Sequence, residues 1–555
     1  MGNCSTPGYQ EEGMLFVVIQ NPIIPGFHPD PSICRVHQDY YLVNSSFEFL
    51  PGIPIFHSND LIHWKQLGHC LHRPEQMEFP KCQQNAGIFA PTIRYHQGVF
   101  YVIATNVARE GAMEPGGSGT FIITAKQPEG PWSLPCWVSQ GGIDPSIFWD
   151  DDGKAYFMST MPALREDGSE GNGIYQAQIC PDTGELLTES KIISNGCGGR
   201  FAEGPHMYKK DEWYYLITAE GGTEFCHMAC ISRSRSVWGP FDPCPHNPIL
   251  TANKEHNPEF AGLGHGDLVQ AHDGSWWLVY LGHRLTEAYY HHMGRETGIA
   301  PVEWVDGWPL VYSGRTPGLE VETKLLPLKN DNHKEKKQSE DIYGNIDRRT
   351  WFDGKSLGYE WNFFRTFFDG YSMTKVPGWL SLYGNERTLN DKDTPAFIGR
   401  RIDHFEFRAE TLMKWIPKAY EEAGLAIAHT PFVHYEFVVA LKDGERRPLL
   451  RKRIFDMITE QWGAPLSGDL VKLQIIGDRY CLEFYICEEN ESSYKKVGSG
   501  AVKLLSSEVA GGCIGCYIGI YASGNGWKSE NAAKYRWFDY EWLPPKPVKA
   551  RYFQD

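Results

Sequence analysis

Two stretches of the chain, "HPDPSICRVHQDYYLV" (residues 28–43) and "IDPSIFWDDDGKAYFM" (residues 143–158), share the tetrapeptide Asp-Pro-Ser-Ile followed by an aromatic-rich run of strand character. Three further segments follow the same plan: "APTIRYHQGVFYVI" from Ala90, "EGPHMYKKDEWYYLI" from Glu203 and "HGDLVQAHDGSWWLV" from His265. In each, two strand-like stretches flank a short polar turn, so each unit contains a β-hairpin. Tyr41, Tyr101, Tyr156, Tyr215 and Trp277 take the same place after the turn and recur roughly every 55–60 residues. A second element, seen as "DLIHWKQLG", "PEGPWSLP" and "SVWGPFDP", sets a Trp near the outer end of three units. That period, with about four short strands per unit, predicts a five-bladed β-propeller.

Composition agrees. The 555 residues exceed one ordinary core, and 57 Gly, 36 Pro and 14% aromatic residues favour short strands and tight turns over long helices, an all-β chain. The formal charge of −16 argues against nucleic acid and is compatible with a neutral substrate such as a sugar. The beginning, "MGNCSTPGYQEEGMLFVVIQ", has no basic segment, and its apolar run is too short for a secretory core or a membrane span. A cytoplasmic location with no membrane contact is the expectation. Met1–Thr6 fits a loose myristoylation pattern with Cys4 beside it, though such short matches arise by accident, and Met14 is an alternative start. The 14 cysteines are scattered without a paired zinc-ligand spacing and read as buried thiols.

The residues that open the five units, Asp30, Ala90, Asp144, Glu203 and His265, are expected to be equivalent and to ring one mouth of the central funnel. Asp before Pro is often only a turn residue. Three acids at repeated blade positions, in apolar or Gly-rich settings such as "GFHPDP", "GGIDPS" and "RFAEGP", point to chemistry. Carboxyl groups in unlike environments divide acid and base roles. On a glycosidic bond a separation of roughly 6.5–9.5 Å leaves room for water and gives inversion. Opposed positions across a funnel favour that spacing, and a third carboxylate between the two raises the acid's pKa.

The stretches "NPIIPGFHPDPSICRVHQDYYLVNSSFEFLPG", "AEGPHMYKKDEWYYLITAEGGT", "GHGDLVQ" and "MGRETGIAPVEW" resemble the β-xylosidases and α-L-arabinofuranosidases of glycoside hydrolase family 43, of the two-domain type. The resemblance implies Asp30 as general base, Asp144 as pKa modulator and Glu203 as general acid. It also implies a sugar subsite walled by Phe47, Phe89 and Ala90, with polar contacts from Thr223, His265 and Arg295. Core packing is the alternative for Phe47, and a surface salt bridge for Arg295. His265 is either a satisfied core histidine or a ligand of a central cation, since some members hold calcium on the propeller axis. No cofactor is required.

After the propeller (15–315) a charged stretch (316–347) reads as a linker, and strand-like runs over 348–555 read as a β-sandwich that shapes the site's mouth. "IGRRIDHFEFRAET" resembles the C-terminal sandwich of the same enzymes. In that group a sandwich loop inserts a Phe into the mouth; here "CIGCYIG" sets Cys513 in its position, and Phe89 stands where Trp is usual. The expectation is an inverting exo-glycosidase releasing xylose from the non-reducing ends of xylo-oligosaccharides or arabinoxylan fragments. An α-L-arabinofuranosidase or bifunctional enzyme is the first alternative, and a non-catalytic sugar-binding propeller the second. A homo-oligomer is compatible with the sequence.

Overall fold

The computed structural model describes residues 17–107, 119–164, 168–253, 259–286, 288–323, 342, 349–489 and 491–545. Met1–Thr6 and Met14 lie outside them, as does nearly all of the expected linker beyond Thr323.

Five antiparallel sheets follow the chain. The first blade runs outward as Ser32–Val36, Asp39–Val43, Gly52–Ser58 and Lys65–Leu71. The second begins with Ile88–His96 and Val99–Asn106, the third with Ile143–Trp149 and Ala155–Leu164. The fourth begins with Glu203–Lys210 and Trp213–Glu220, the fifth with Phe260–Gln270 and Trp276–Arg284. The five innermost strands touch one another in cyclic order, which closes the propeller. Three of the inner hairpins turn in two residues, and such turns require a left-handed residue, here His37 (φ 58°), Gln97 (φ 47°) and Asp211 (φ 56°). The Trp signals also find their place: Trp64 and Trp132 are buried and precede the outermost strands of their blades.

The expected linker starts later than residue 316. Glu320–Thr323 is a strand, antiparallel to Val17–Gln20, with Val321 and Thr323 buried. Its Glu-Val-Glu-Thr alternation has the period of a half-buried strand, but the partner lies some three hundred residues away and local pattern does not reveal it. Next to this clasp, the Asn21 side chain accepts from Ile299 N and donates to Ile299 O in the fifth blade.

The second unit is a two-sheet sandwich. One sheet is built around Ala533–Trp542, Phe407–Lys414, Leu470–Gly477 and Cys481–Glu488; the other around Tyr517–Ser523, Glu422–Thr430, Val433–Lys442 and Glu445–Ile454. Alternation along Phe407–Lys414 sends Phe407, Ala409, Thr411 and Met413 into the core between the sheets.

The two units are stitched together beside the funnel. Phe49–Leu50 of the propeller pairs with Phe363–Phe364 of the sandwich, and Phe49 stacks on Tyr517 with centroids 3.9 Å apart. Buried Arg401 donates to Phe27 O at 2.7 Å, and Arg365 reaches Glu48 at 3.5 Å. Gly515 lies so close to Met293 and Gly294 that any side chain there would collide with backbone. The loops carrying Asp30 and Arg295 therefore rest directly on the sandwich.

Candidate active site

Each inner strand enters the funnel through a left-handed residue: Asp30 (φ 51°), Ala90 (φ 36°), Asp144 (φ 51°), Gly204 (φ 57°) and His265 (φ 45°). Four of the five are not glycine. Asp tolerates this conformation better than most residues, whereas Ala and His are held in it by their surroundings. In blades two to five the ladder shifts register at this point, a bulge that re-aims the side chain into the funnel.

This register corrects one expectation. Counting back four residues from the partner of each marker aromatic (Cys34, Arg94, Phe148, Tyr208 and Val269) gives Asp30, Ala90, Asp144, Gly204 and His265. Glu203 is thus one residue outside the equivalent ring. Pro205, aligned with Pro31, Pro91 and Pro145, carried that information in the sequence. The displacement has a use: Gly204 N, on the ring, donates to Asp144 Oδ2 at 3.1 Å, and Glu203 accepts from Asn172 Nδ2 at 2.9 Å.

Asp30 is 5% exposed and surrounded by donors. Ser45 Oγ donates to its Oδ2 at 2.6 Å, Arg295 Nη1 to its Oδ1 at 2.9 Å, and His265 Nδ1 lies 3.8 Å from Oδ1. Burial alone would raise this carboxyl; Arg295, His265 and Ser45 together hold it below the usual carboxylate range. Ser45 also accepts from Ala90 N at 2.6 Å, so one hydroxyl joins the first and second blades. Burial pushes Asp144 up to about 7, against the pull of His265 and with the charges of Glu203 and Asp30 adding to the rise. Burial likewise raises Glu203 to about 7, opposed by the Asn172 hydrogen bond and assisted by the charge on Asp30. The site therefore contains one firmly ionised carboxylate and a pair that shares protons near neutrality.

The other expected residues converge here. Arg295 forms a buried ion pair rather than a surface one, and its Nη1 also donates to Thr223 Oγ1 at 3.1 Å. Its guanidinium lies over Phe47, 5.4 Å from the centroid. Phe47 is 2% exposed and packs on Phe27 and Phe89, so its ring belongs to the core beneath the Arg295 guanidinium. Cys513 reaches the mouth: its carbonyl accepts from Arg295 Nε at 3.3 Å, and its side chain packs against the same buried aromatic cluster as Phe89 does. Cys513 and Cys516 have Cys-x-x-Cys spacing, which the sequence reading passed over. Burial raises both thiols, and Cys516 Sγ donates to Leu505 O, the opposite of a reactive pair.

Deeper on the axis lies a polar cluster that sequence reasoning missed. Asp267 accepts from Ser32 Oγ (2.7 Å), Ile33 N (3.0 Å), Arg94 Nη1 (2.8 Å) and Tyr208 OH (2.5 Å). Arg94 Nη2 donates to His206 Nδ1 at 3.0 Å; since Arg only donates, His206 is neutral with its proton on Nε2. Burial keeps His206 low, at about 3. Arg94 already brings a positive charge to the axial carboxylate, and among the described residues no three His, Cys, Asp or Glu converge as ligands.

Carboxyl groups held in such unlike protonation states at the mouth of a propeller funnel suit the acid–base cleavage of a glycosidic bond. Residues 19–309 match Glycosyl hydrolases family 43, and residues 349–541 match the Beta xylosidase C-terminal Concanavalin A-like domain. The chain belongs to glycosyl hydrolase family 43. It is 41% identical over 538 residues to the non-reducing end alpha-L-arabinofuranosidase BoGH43B of Bacteroides ovatus, covering 94% of this chain and 95% of that one. It is 36% identical over 541 residues to a xylosidase/arabinosidase of Butyrivibrio fibrisolvens, covering 95% and 99%. The solved structure titled Bacteroides ovatus Xyloglucan PUL GH43B superposes with a TM-score of 0.86 at 39% identity, covering 95% of this chain and all of that one.

Proposed function

We propose that this enzyme is an inverting exo-glycosidase that releases xylose from the non-reducing ends of xylo-oligosaccharides, with α-L-arabinofuranose as a second sugar of the same pocket. Asp30 is the general base, Glu203 the general acid and Asp144 the modulator of the acid. The observation that carries the reading is the contrast between the two catalytic carboxyls. Asp30 is held ionised by Arg295, Ser45 and His265, while Glu203 is raised into the range of a neutral-pH acid. The names of the relatives, an arabinofuranosidase and a xylosidase/arabinosidase, support both sugars.

In the proposed mechanism Asp30 takes a proton from a water that attacks the anomeric carbon. Glu203 gives its proton to the departing oxygen, and the bond to the leaving sugar breaks as the bond to water forms. Arg295, donating to Asp30 and Thr223, fixes the base and presents a positive edge to the sugar hydroxyls; Phe47 and Phe89 meet its C–H face. Proton NMR early in hydrolysis of a β-xyloside is expected to show α-xylose, and initial β-xylose would rule out Asp30 as base. A panel of nitrophenyl glycosides ranks the two sugars.

Asp144→Asn tests the modulator. With the repulsion between Asp144 and Glu203 removed, the alkaline limb of the kcat/KM profile, set by loss of the Glu203 proton near pH 7, is expected to move to lower pH. An unmoved limb would mean that Asp144 holds the shared proton itself and exerts no such repulsion.

A further inference from the structure

Asn85 stands in the turn just before the first strand of the second blade, and its backbone is left-handed (φ 58°), a conformation that Asn takes more readily than most residues. Its N–H donates to buried Glu48 Oε2 at 2.7 Å, which fixes the turn. Its side chain reaches across to the sandwich, where Oδ1 accepts from Cys513 N at 3.2 Å. The sandwich loop is shaped around this carboxamide: Gly511 and Gly512 are both left-handed (φ 77° and 86°), and a Cβ on Gly512 would collide with Asn85. Further along the same loop, Cys516 N donates to His292 O in the fifth blade at 2.8 Å. The loop is therefore tied to the propeller on two sides, and Cys513 lies between the ties.

We propose that Asn85 is a positioning residue for the reaction: by holding the N–H of Cys513 it sets the Cys513 carbonyl, which orients the Arg295 guanidinium and, through it, Asp30. The inference rests on the glycosidase reading above, with Asp30 as base. A guanidinium is a rigid planar fork, so the direction of one N–H dictates the directions of the others. Arg295 donates from Nε to Cys513 O at 3.3 Å and from Nη1 to both Asp30 Oδ1 at 2.9 Å and Thr223 Oγ1 at 3.1 Å. Asp30 and Thr223 share one nitrogen, and a plane held at one corner can swing about it. The Cys513 carbonyl holds the plane at a second point. A Cys513 that drifts from Asn85 releases that point, and the fork turns Nη1 away from the carboxylate.

The test is a double-mutant cycle on the full chain, read as kcat/KM for a nitrophenyl xyloside, or for the arabinofuranoside if that sugar is preferred. Asn85→Gly removes the carboxamide and keeps a residue at ease in the left-handed backbone. It is expected to lower kcat/KM about three- to tenfold, the effect of one hydrogen bond. Arg295→Lys puts a methylene where the Nε–H stood and cuts the same link further on. In that background Asn85→Gly is expected to change kcat/KM by less than about twofold, because neighbours acting through one chain are not additive. A general loosening of the fold would cost both backgrounds alike. Asn85→Asp keeps the acceptor for Cys513 N and is expected to stay within about threefold of the unaltered enzyme. The proposal is overturned by an Asn85→Gly enzyme within twofold of the unaltered one, by an undiminished loss in the Arg295→Lys background, or by a loss in Asn85→Asp as deep as in Asn85→Gly. Asn85 is partly exposed, and melting temperatures above the assay temperature verify that each variant is folded. Failure of the glycosidase reading looks different: the unaltered enzyme would turn over neither glycoside.

Discussion

Asp30→Asn is expected to lower kcat/KM by about 10²–10⁴-fold on every glycoside tested, because in the proposed mechanism Asp30, the carboxylate held firmly ionised, takes the water's proton. Glu203→Gln is expected to lose a similar factor on xylobiose but much less on nitrophenyl glycosides. A phenolate departs without protonation, so the acid is needed only when the leaving group is a sugar alkoxide. The contrast between the two leaving groups assigns the roles. Equal losses on both for Glu203→Gln would deny it the part of acid, and turnover within a few-fold of the unaltered enzyme for Asp30→Asn would remove that residue from the mechanism. Asn and Gln keep the shape of the parent side chains, and circular dichroism spectra like those of the unaltered enzyme verify the fold.

The second large effect falls on stability. Asp267→Ala is expected to destabilise the propeller by about 3–5 kcal/mol, because it leaves the Arg94 guanidinium, on a side chain only 17% exposed, without its carboxylate. A fall in melting temperature on the order of 10 °C follows. The pH dependence has a definite sign. Burial would raise Asp267, but the charge of Arg94 and the hydrogen bonds from Arg94 and Tyr208 overcome it and hold it well below the usual range. Its contribution is therefore present above the unfolded-state pKa, near 4, and is lost as pH falls toward the folded value. At acid pH the variant and the unaltered protein should converge in stability. Equal melting temperatures at pH 7 would mean that Arg94 finds a substitute partner on the axis.

Much of this site was legible in the sequence because the blades repeat. Asp30 and Asp144 announce themselves in the twice-written Asp-Pro-Ser-Ile, and His265 follows from its distance to Trp277. Glu203 was found by the same counting yet one step out of register, because the hairpin of the fourth blade is one residue shorter between Tyr215 and its partner Tyr208 than those of the third and fifth blades between their aromatics and partners, so an equal count overshoots Gly204. Ser32, His206 and Asp267 lie two residues beyond ring positions, and Arg94 and Tyr208 four beyond, on the face that strand alternation directs to the axis. Once the ring was placed they were within reach. Ser45 and Asn172 were not, since they come from loop and strand positions with no counterpart in other blades. Nor were the pairing of Glu320–Thr323 with Val17–Gln20 and the bond from Cys513 N to Asn85, which exist only through contacts between distant parts of the chain.

Enzymes of this kind invite treatment as interchangeable modules, a cutting unit and an accessory unit exchanged to alter performance. The Phe49–Leu50 pairing with Phe363–Phe364, and the hold of Arg401 on the carbonyl of Phe27, make such exchange unworkable here. Phe27 lies three residues before Asp30, the proposed base, so an alien sandwich that misses this one hydrogen bond is expected to displace the loop that carries Asp30. The transplantable part is the pair of domains with their shared seam, and substitutions meant to retune the sandwich count as active-site substitutions wherever they reach residues 362–365, 399–403 or 511–517.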